Sequence, residues 1–261
     1  MIKFKVGFTL ADATHVGMPQ IHAKEGFTLA EILVTLGIIG VVAAMTIPQL
    51  ITNMTTREME SRFKIAYSRL NQMSKSYEAE SGMAIPIGVR SGESMYVIFS
   101  KHLKGFSNVN GDKYSSKDED GNYTGDVYKK YKNFQGLAST QVCDISGTYV
   151  DISGIQYMWN DNPAAGQNGP IICVDLNGSA KPNISGIDYF LFIPTVEGNV
   201  IPMGMEHPDN STSTSTGGNF FQDKSHCGKK GNYSCAYWAV TNTSPKGYGR
   251  YWQDYIRKKQ F

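Results

Sequence analysis

A single acidic residue, Glu31, lies inside a long apolar stretch of this sequence. It is the only charged residue between Phe27 and Ile47. As an α-helix this stretch would measure roughly 31 Å, about the thickness of the hydrocarbon core of a bilayer. A carboxylate at that depth is costly unless a positive charge compensates it, and such residues are usually functional. Glu31 is therefore a candidate functional side chain that requires a cationic partner.

The residue that precedes the apolar stretch, Gly26, suggests where that cation comes from. A secretory signal is normally cut after its apolar run. Here a small residue stands before the run and follows a leader that carries three lysines. Cleavage after Gly26 would keep the apolar helix on the mature chain and create an α-amino group on Phe27, about one helical turn from Glu31. In a staggered stack of such helices, the amine of one subunit can pair with Glu31 of its neighbour.

This segment resembles the N-terminal signature of type IV prepilins and type II secretion pseudopilins. The residues that match the signature position by position are Gly26, Phe27, Thr28, Leu29 and Glu31. Pro48 resembles the helix-kinking proline common in these proteins, and a proline inside a helix is expected to bend it. The resemblance covers about residues 24–80 and is looser beyond them.

The resemblance implies a structural subunit of a type II secretion pseudopilus or of a type IV pilus-like fibre, and not an enzyme. Its partners would be a prepilin peptidase that also N-methylates Phe27, an inner-membrane assembly platform with its cytoplasmic ATPase, and other pilin-like subunits. The chain would cross the bacterial inner membrane once, with its C-terminal domain in the periplasm or outside the cell. The leader lysines agree with a cytoplasmic N-terminus, because the first charge after the span is Arg57.

Three other interpretations of the N-terminal region remain open. An uncleaved signal anchor would explain the lysines and the apolar run, but neither Gly26 nor Glu31. A signal peptide cut after Val42-Ala43-Ala44 would release a soluble domain, but it would carry an acid inside its apolar core. A membrane-anchored ligand-binding module or hydrolase outside the cytoplasm could use the same anchor for another function.

The composition agrees with one membrane helix and one domain of ordinary size. The chain has 261 residues, a formal net charge of +2 and 18% charged residues, and it contains no basic block that would indicate a nucleic-acid partner. We divide the chain into a cleaved leader (1–26), a transmembrane or fibre-core helix (27–47), an amphipathic continuation of that helix (48–81) and a β-rich domain outside the cytoplasm (82–261).

An apolar stripe predicts that the helix continues beyond Pro48. Apolar residues recur at intervals of three and four, which is the period of one helix face. They are Met59, Phe63, Ala66, Leu70, Met73 and Tyr77. Two oppositely charged pairs on the exposed side have i,i+4 spacing, namely Glu58 with Arg62 and Glu60 with Lys64. The pattern ends near Ser81, and we expect the stripe to pack on a sheet, with a coiled coil as the alternative.

From Met83 onward, short apolar runs alternate with turn residues, a pattern typical of antiparallel strands. The expected strands are Gly147–Asp151, Gln156–Trp159, Ile171–Asp175, Tyr189–Ile193 and Val200–Met203. Tyr96–Phe99 is either a further strand or part of a short helix. Residues 107–133 are polar and predict a surface excursion, and residues 209–218 predict a loop. A long helix followed by an antiparallel sheet is an α+β fold, which the resemblance also implies.

All four cysteines lie beyond the apolar stretch, on the side expected to be oxidising, so two disulfides are favoured. Three pairings are compatible with the spacing, and we favour Cys227–Cys235 with Cys143–Cys173. A zinc site that uses Cys227, Cys235 and His226 is the alternative, although the sequence has no C-x₂-C pair.

Two acidic loops carry oxygen-bearing side chains suited to calcium. The first departs from an EF-hand in the position of its glycine and in its last ligand, and its candidates are Asp118, Asp120, Asn122, Thr124 and Asp126. The second contains Asp175, Asn177 and Asp188, with Asn183 nearby. The alternative for this second loop is a hairpin closed by Asx turns without a metal.

The sequence gives little support to catalysis. It contains neither G-x-S-x-G nor H-E-x-x-H, and three of its five histidines, His102, His207 and His226, are scattered beyond the apolar stretch. Aromatic residues crowd the C-terminus, where core packing is the expected role and a carbohydrate or partner surface is the alternative. They are Tyr237, Trp238, Tyr248, Tyr251, Trp252 and Tyr255.

Overall fold

The structure, a computed structural model, divides into two compact units, Met1–Ile47 and Pro48–Phe261. Helix α1, Leu29–Ser81, contributes to both units. The residues that the structure describes are 26–85, 98, 101–103, 107–109, 131–137, 143, 148–160, 171–178, 180–195, 197–206, 224–228 and 234–259.

The part of α1 that belongs to the second unit confirms the amphipathic pattern. All six residues of the predicted stripe, from Met59 to Tyr77, are buried. The helix ends at Ser81 because Gly82 takes a φ of 73°, a left-handed conformation that glycine adopts without steric cost. The Gly82 N–H then donates to Glu78 O at 2.9 Å and closes the last turn. Burial of this stripe, more than intrinsic propensity, stabilises the helix.

Pro48 lies inside α1, at the first position of the second unit. The hydroxyl of Thr52 donates to Pro48 O at 2.9 Å. Proline removes one backbone hydrogen bond, and back-bonding threonines often bend helices, so both residues favour a bend. The kink expected at Pro48 stays a prediction.

Six strands form one antiparallel sheet in sequential order, so the sheet is a meander. They are β1 (Ser107–Val109), β2 (Thr148–Val150), β3 (Gln156–Asn160), β4 (Ile171–Asp175), β5 (Tyr189–Pro194) and β6 (Val200–Pro202). The α+β fold class expected from the sequence is confirmed.

Five of the six strands agree with the sequence prediction to within one residue at each end. The sequence does not predict β1, because Ser-Asn-Val offers a single apolar residue inside a polar segment. Of the segment Tyr96–Phe99, the structure describes Ile98, which is helical, so a strand at that position is wrong. Residues 209–218 lie outside the described residues.

Both faces of the sheet are buried at β4 and β5, because alternate residues of these strands belong to two different apolar clusters. In β5, Phe190 and Phe192 face α1, where the ring centroid of Phe63 lies 4.7 Å and 5.7 Å from theirs. The alternate residues Tyr189 and Leu191 belong to the second cluster. Every residue of β4 and β5 is buried, which explains why these strands read as continuous apolar runs.

Among the described residues, the sequence patterns also leave three short helical segments of the C-terminal region unpredicted, the first of which is a 3₁₀ turn at Lys224–His226. Helix α2 spans Cys235–Thr241, and a π-helical segment spans Tyr251–Ile256. The ring of Trp252 lies 5.5 Å from that of Phe63, and its indole N–H donates to a backbone carbonyl of α2 at 3.1 Å. Of the six crowded aromatic residues three are buried and two half-buried, whereas Tyr248 is 72% exposed. Most of them therefore serve the core.

The structure contains two disulfides, which are the pairings favoured from the sequence. One joins Cys143 to Cys173 of β4, and the other joins Cys227 to Cys235 of α2. The second bond removes both thiolates that a zinc ion would need. The zinc alternative is therefore wrong in this structure.

Candidate functional site

The residues around Glu31 form a capping box, in which a threonine and a glutamate three positions apart bond each other at the start of a helix. Helix α1 begins at Leu29, directly after Thr28. The Glu31 Oε2 atom accepts hydrogen bonds from the Thr28 N–H at 2.8 Å and from the Thr28 hydroxyl at 2.9 Å. In return, the Glu31 N–H donates to Thr28 Oγ1 at 3.2 Å. These bonds satisfy backbone donors that a helix leaves open at its N-terminus.

The capping box gives Glu31 a local partner in the unprocessed chain. Our sequence analysis did not assign Thr28 a role of its own, although the T-x-x-E spacing is visible in the sequence. Among the described residues, no hydrogen bond reaches the second carboxylate oxygen, Oε1. That oxygen is available to a donor from outside the chain, such as the amine of a neighbouring subunit.

The peptide bond expected to be cleaved, between Gly26 and Phe27, joins two exposed residues. Phe27 is 84% exposed. A Cβ atom added to Gly26 would meet no other atom within 4 Å, and the φ of Gly26 lies outside the left-handed region. The described fold of the chain therefore does not itself require glycine at this position. A requirement set by another protein, one that binds this peptide bond, explains the residue better.

The first part of α1, Leu29–Ile47, presents apolar side chains outward along its whole length. All of its residues are exposed except Ala43, which is half-buried. By length and composition alone, α1 is long and apolar enough to cross a membrane. The hydroxyls of Thr35 and Thr46 donate to carbonyls of the preceding turn at 3.0 Å and 2.9 Å. They are thus satisfied within the helix, as a lipid environment requires.

The second acidic loop predicted from the sequence contains two buried carboxylates, at the end of β4 and just before β5. Asp175 accepts the Tyr131 hydroxyl at 2.6 Å and the Asn177 N–H at 3.2 Å. Asp188 accepts the backbone N–H groups of residues 183 and 184, each at 2.7 Å. Both carboxylates therefore order the loop by accepting local backbone donors, as the Asx-turn alternative expects.

The two carboxylates influence each other. Burial, reinforced by the charge of Asp175, raises the pKa of Asp188 to about 7, although the backbone donors act in the opposite direction. Burial and the same Asp175 charge raise the pKa of Tyr131 well above its ordinary value, so its hydroxyl remains a donor. Two acids in one enclosed loop favour either a bound proton or a compensating cation.

Two amide oxygens in this loop could complement the acids as metal ligands. The Oδ1 atoms of Asn177 and Asn183 are buried and accept no hydrogen bond from the described residues. Calcium prefers oxygen ligands of this kind. However, the described residues include no group of three or more His, Cys, Asp or Glu side chains placed to hold a metal ion. The first acidic loop, Asp118 to Asp126, lies outside the described residues.

Arg69 and Asn71 are two of the polar residues of α1 that bond the sheet and its turns, and no sequence pattern indicates either of them. Arg69 forms an ion pair with the buried Asp151, in the turn between β2 and β3. The side-chain amide of Asn71 donates to Val200 O at 3.1 Å and accepts from the Val200 N–H at 3.0 Å. Asn71 thereby satisfies backbone groups of β6, an edge strand that would otherwise expose them.

The predicted ion pairs of α1 are present, but only one of their acids is exposed. Glu58 pairs with Arg62 at 2.9 Å and has 56% of its side chain exposed. Glu60 pairs with Lys64 at 2.6 Å and is only 14% exposed, because Gln253 of the π-helical segment donates to its second oxygen at 2.7 Å. The C-terminal segment therefore covers part of a helix face that the sequence predicts to be solvent-exposed.

Comparison with known proteins bears on the N-terminal site. Residues 21–47 match the family model of the prokaryotic N-terminal methylation motif, the signature of type IV prepilins and pseudopilins. Searches of curated proteins and of solved structures found no match. The matched region contains Gly26, Phe27 and Glu31, so the motif implies processing by a prepilin peptidase and assembly with pilin-like subunits. This motif, with the apolar N-terminal helix that it includes, indicates a type IV pilin-like or pseudopilin precursor.

Proposed function

We propose that this protein is a structural subunit of a type II secretion pseudopilus or of a type IV pilus-like fibre. A prepilin peptidase cuts the chain after Gly26 and methylates the new amine of Phe27. The mature chain then assembles through the first part of α1. The observation that carries the proposal is the exposed apolar helix Leu29–Ile47, which bears one carboxylate and lies within the region that matches the methylation motif.

The geometry at Glu31 supports a role in assembly. Only one of its carboxylate oxygens is engaged by the capping box among the described residues. After cleavage, the amine of Phe27 lies one residue before Thr28, at the end of the helix. Helices that pack with a small axial stagger bring the amine of one subunit to the free oxygen of the next. In an apolar surrounding this pair satisfies two charges that would each be costly alone.

The partners follow from the same proposal. They are the prepilin peptidase and N-methyltransferase, an inner-membrane assembly platform with its cytoplasmic ATPase, and other pilin-like subunits. Before assembly the chain spans the bacterial inner membrane once, with its leader in the cytoplasm and its C-terminal domain in the periplasm. The two disulfides of that domain support an oxidising location.

Intact mass and N-terminal sequencing of the membrane-extracted chain, with and without prepilin peptidase, test this function. We expect a mature chain that begins at Phe27 and is heavier by one methyl group. A chain that begins at Met1 in the presence of active peptidase would contradict the proposal and indicate an uncleaved membrane anchor. A chain that begins after Ala44 would be a soluble secreted domain.

Two glycine variants make the test specific. Gly26→Val should fold normally, because a side chain has open space at this position, but it should remain uncut. Gly37→Val is the matched control, since a Cβ there also meets no other atom within 4 Å, and it should be cut as efficiently as the natural chain. Equal cleavage of both variants would contradict the role given to Gly26.

We further propose calcium as a ligand of Asp175, Asn177 and Asp188. The support is the buried, unpaired Oδ1 atom of Asn177 beside two buried acids. Added calcium should raise the thermal unfolding midpoint of the full chain in detergent, more at pH 8 than at pH 5, because a protonated Asp188 competes with the metal. An unchanged midpoint at both pH values would contradict this proposal.

A further inference from the structure

The C-terminal segment of the chain is strongly basic. Residues 246–259 contain five lysines or arginines and one acid, Asp254. The formal net charge of the whole chain is only +2. The charge of this segment is therefore balanced elsewhere in the sequence, and its effect depends on where the fold places it.

The π-helical segment runs antiparallel to α1, and this direction places the basic residues. Gln253 donates to Glu60 Oε2 at 2.7 Å. Four residues later, Arg257 Nη1 donates to Asn53 Oδ1 at 3.2 Å. As the π-helical segment proceeds toward the C-terminus, its residues therefore contact positions of α1 that lie closer to the beginning of the second unit. Arg257 and the two lysines that follow it lie at this end of the domain.

Helix α1 adds a fourth positive charge to the same end. Arg57 is exposed and lies one helical turn from Asn53 on the same face. It is the first charged residue after Pro48. We call the four residues Arg57, Arg257, Lys258 and Lys259 the C-terminal basic surface.

No described carboxylate neutralises this surface. None of its four residues forms an ion pair with the described residues, whereas the two acids that follow Arg57 on α1 already pair with basic residues at i+4. Lys259 instead lies over aromatic rings, with Nζ 5.3 Å from the centroid of Phe134 and 5.9 Å from that of Tyr255. Within the described part of the chain, the surface thus presents positive charge that no carboxylate pairs with.

Covalent connection keeps this surface close to the end of the apolar span. Asn53, which Arg257 contacts, follows Ile47 by six residues. These residues measure roughly 9 Å as a helix and roughly 20 Å if fully extended. The extended length is the largest possible distance between Ile47 and Asn53, whatever the direction in which the chain leaves the membrane.

We propose that the C-terminal basic surface docks on the headgroups of anionic phospholipids while residues 27–47 still hold the subunit in the membrane. This inference rests on the proposed function, because it needs the apolar helix to be embedded. Basic residues next to an anionic bilayer each strengthen binding by roughly fivefold. The contact would hold the domain against the membrane until the subunit is extracted into the fibre.

Hydrogen exchange of the full chain in lipid nanodiscs tests the proposal. One preparation contains phosphatidylcholine alone and the other contains phosphatidylcholine with phosphatidylglycerol. Backbone amides of residues 50–60 and 246–259 should exchange more slowly in the anionic discs, by a factor of about five or more. High salt should remove the difference, because it screens charges at a surface.

Two double variants with the same loss of charge make the test specific. Lys258→Gln/Lys259→Gln should reduce the difference between the two lipids, because it removes two of the four positive charges of the surface. Lys75→Gln/Lys101→Gln should retain it, because Lys75 lies roughly 33 Å farther along α1 than Asn53. The residue next to Lys101, His102, lies 3.3 Å from the Ser76 hydroxyl, at the same far end.

The outcomes separate this proposal from the proposed function. Slow exchange of residues 29–47 in both discs, with no effect of lipid charge on the C-terminal segment, would overturn the lipid contact alone. Fast exchange of residues 29–47, or loss of the chain from neutral discs, would overturn the proposed membrane span and the lipid contact with it. Protection of the basic surface only in fibres, regardless of lipid charge, would identify a contact between subunits and overturn the proposal.

Discussion

The two parts of helix α1 are equally helical, but they bury their apolar residues in different ways. In the first unit, Leu33 is 61% exposed among the described residues. In the second unit, Leu70 is fully buried against the sheet. Exposure of a continuous apolar surface is unusual and marks an interaction with a membrane or another protein. The comparison indicates that a membrane or another protein buries the apolar side chains of the first part of α1. The domain of the same chain buries those of the second part.

The largest effect that this comparison predicts is on Glu31. Glu31→Ala should abolish incorporation into fibres while leaving the domain folded, because it removes the carboxylate that we propose to pair with the amine of a neighbouring subunit. Incorporation is measured by sedimentation of sheared fibres and immunoblotting. Glu58→Ala, which removes an exposed acid of the second part, should still assemble. A tethered binding protein or hydrolase would keep its activity in the Glu31→Ala variant, so normal function without assembly would contradict the fibre interpretation.

Matched leucine substitutions test the difference in burial directly. Leu70→Ala should lower the free energy of unfolding of the domain by about 2–5 kcal/mol, because it leaves a cavity in a packed core. Leu33→Ala should leave the domain's unfolding unchanged and weaken assembly instead. Denaturant unfolding of the full chain in detergent, followed by Trp fluorescence, measures the first effect. A comparable loss of stability in both variants would mean that the first part of α1 also packs on its own domain.

A smaller effect is expected where α1 covers the edge of the sheet. Asn71→Leu should reduce the free energy of unfolding by about 1–3 kcal/mol, since both polar backbone groups of Val200 lose their partner. Gln72→Leu is the control, because Gln72 is exposed and, within the described part of the chain, bonds only Ser68 of the same helix. Stability is again measured by denaturant unfolding. Equal values for the two variants would show that water replaces Asn71 at the edge.

The smallest expected effect is a pH dependence that belongs to the second unit. Asp188 has a pKa of about 7 in the folded chain against 3.8 for an ordinary aspartate. The folded state therefore holds this proton more tightly, and its contribution to stability is lost as pH rises from about 4 to about 7. The unfolding midpoint should fall over this range in calcium-free buffer. Asp188→Asn, which cannot titrate, should reduce that slope, and an unchanged slope would assign the titration to another group.

Periodicity and short motifs were sufficient to predict much of this molecule. The stripe from Met59 to Tyr77, the end of α1 at Ser81 and five strand positions follow from local patterns, and the structure contains all of them. Strand β1 escaped prediction because its pairing with β2, and not its own residues, makes it a strand. The π-helical segment escaped for a similar reason, since its place depends on Trp252 reaching Phe63.

The N-terminal site was accessible from the sequence because all of its parts lie within six residues. Gly26, Phe27 and Glu31 are recognised by spacing alone, and the capping box with Thr28 is also a local motif. The place of the basic residues in the fold was not accessible from local spacing in the same way. The net charge of +2 conceals the basic segment at the C-terminus, and its approach to Asn53 depends on a contact between residues 204 positions apart.

The sequence by itself therefore determined the methylation motif, the apolar span and the alternation of helix and strands, because each depends on neighbours along the chain. Only the tertiary structure decided among the three possible cysteine pairings, buried both Asp175 and Asp188, and placed Asn71 over the edge of β6. Such contacts join distant residues, and no local pattern encodes the energy of bringing them together.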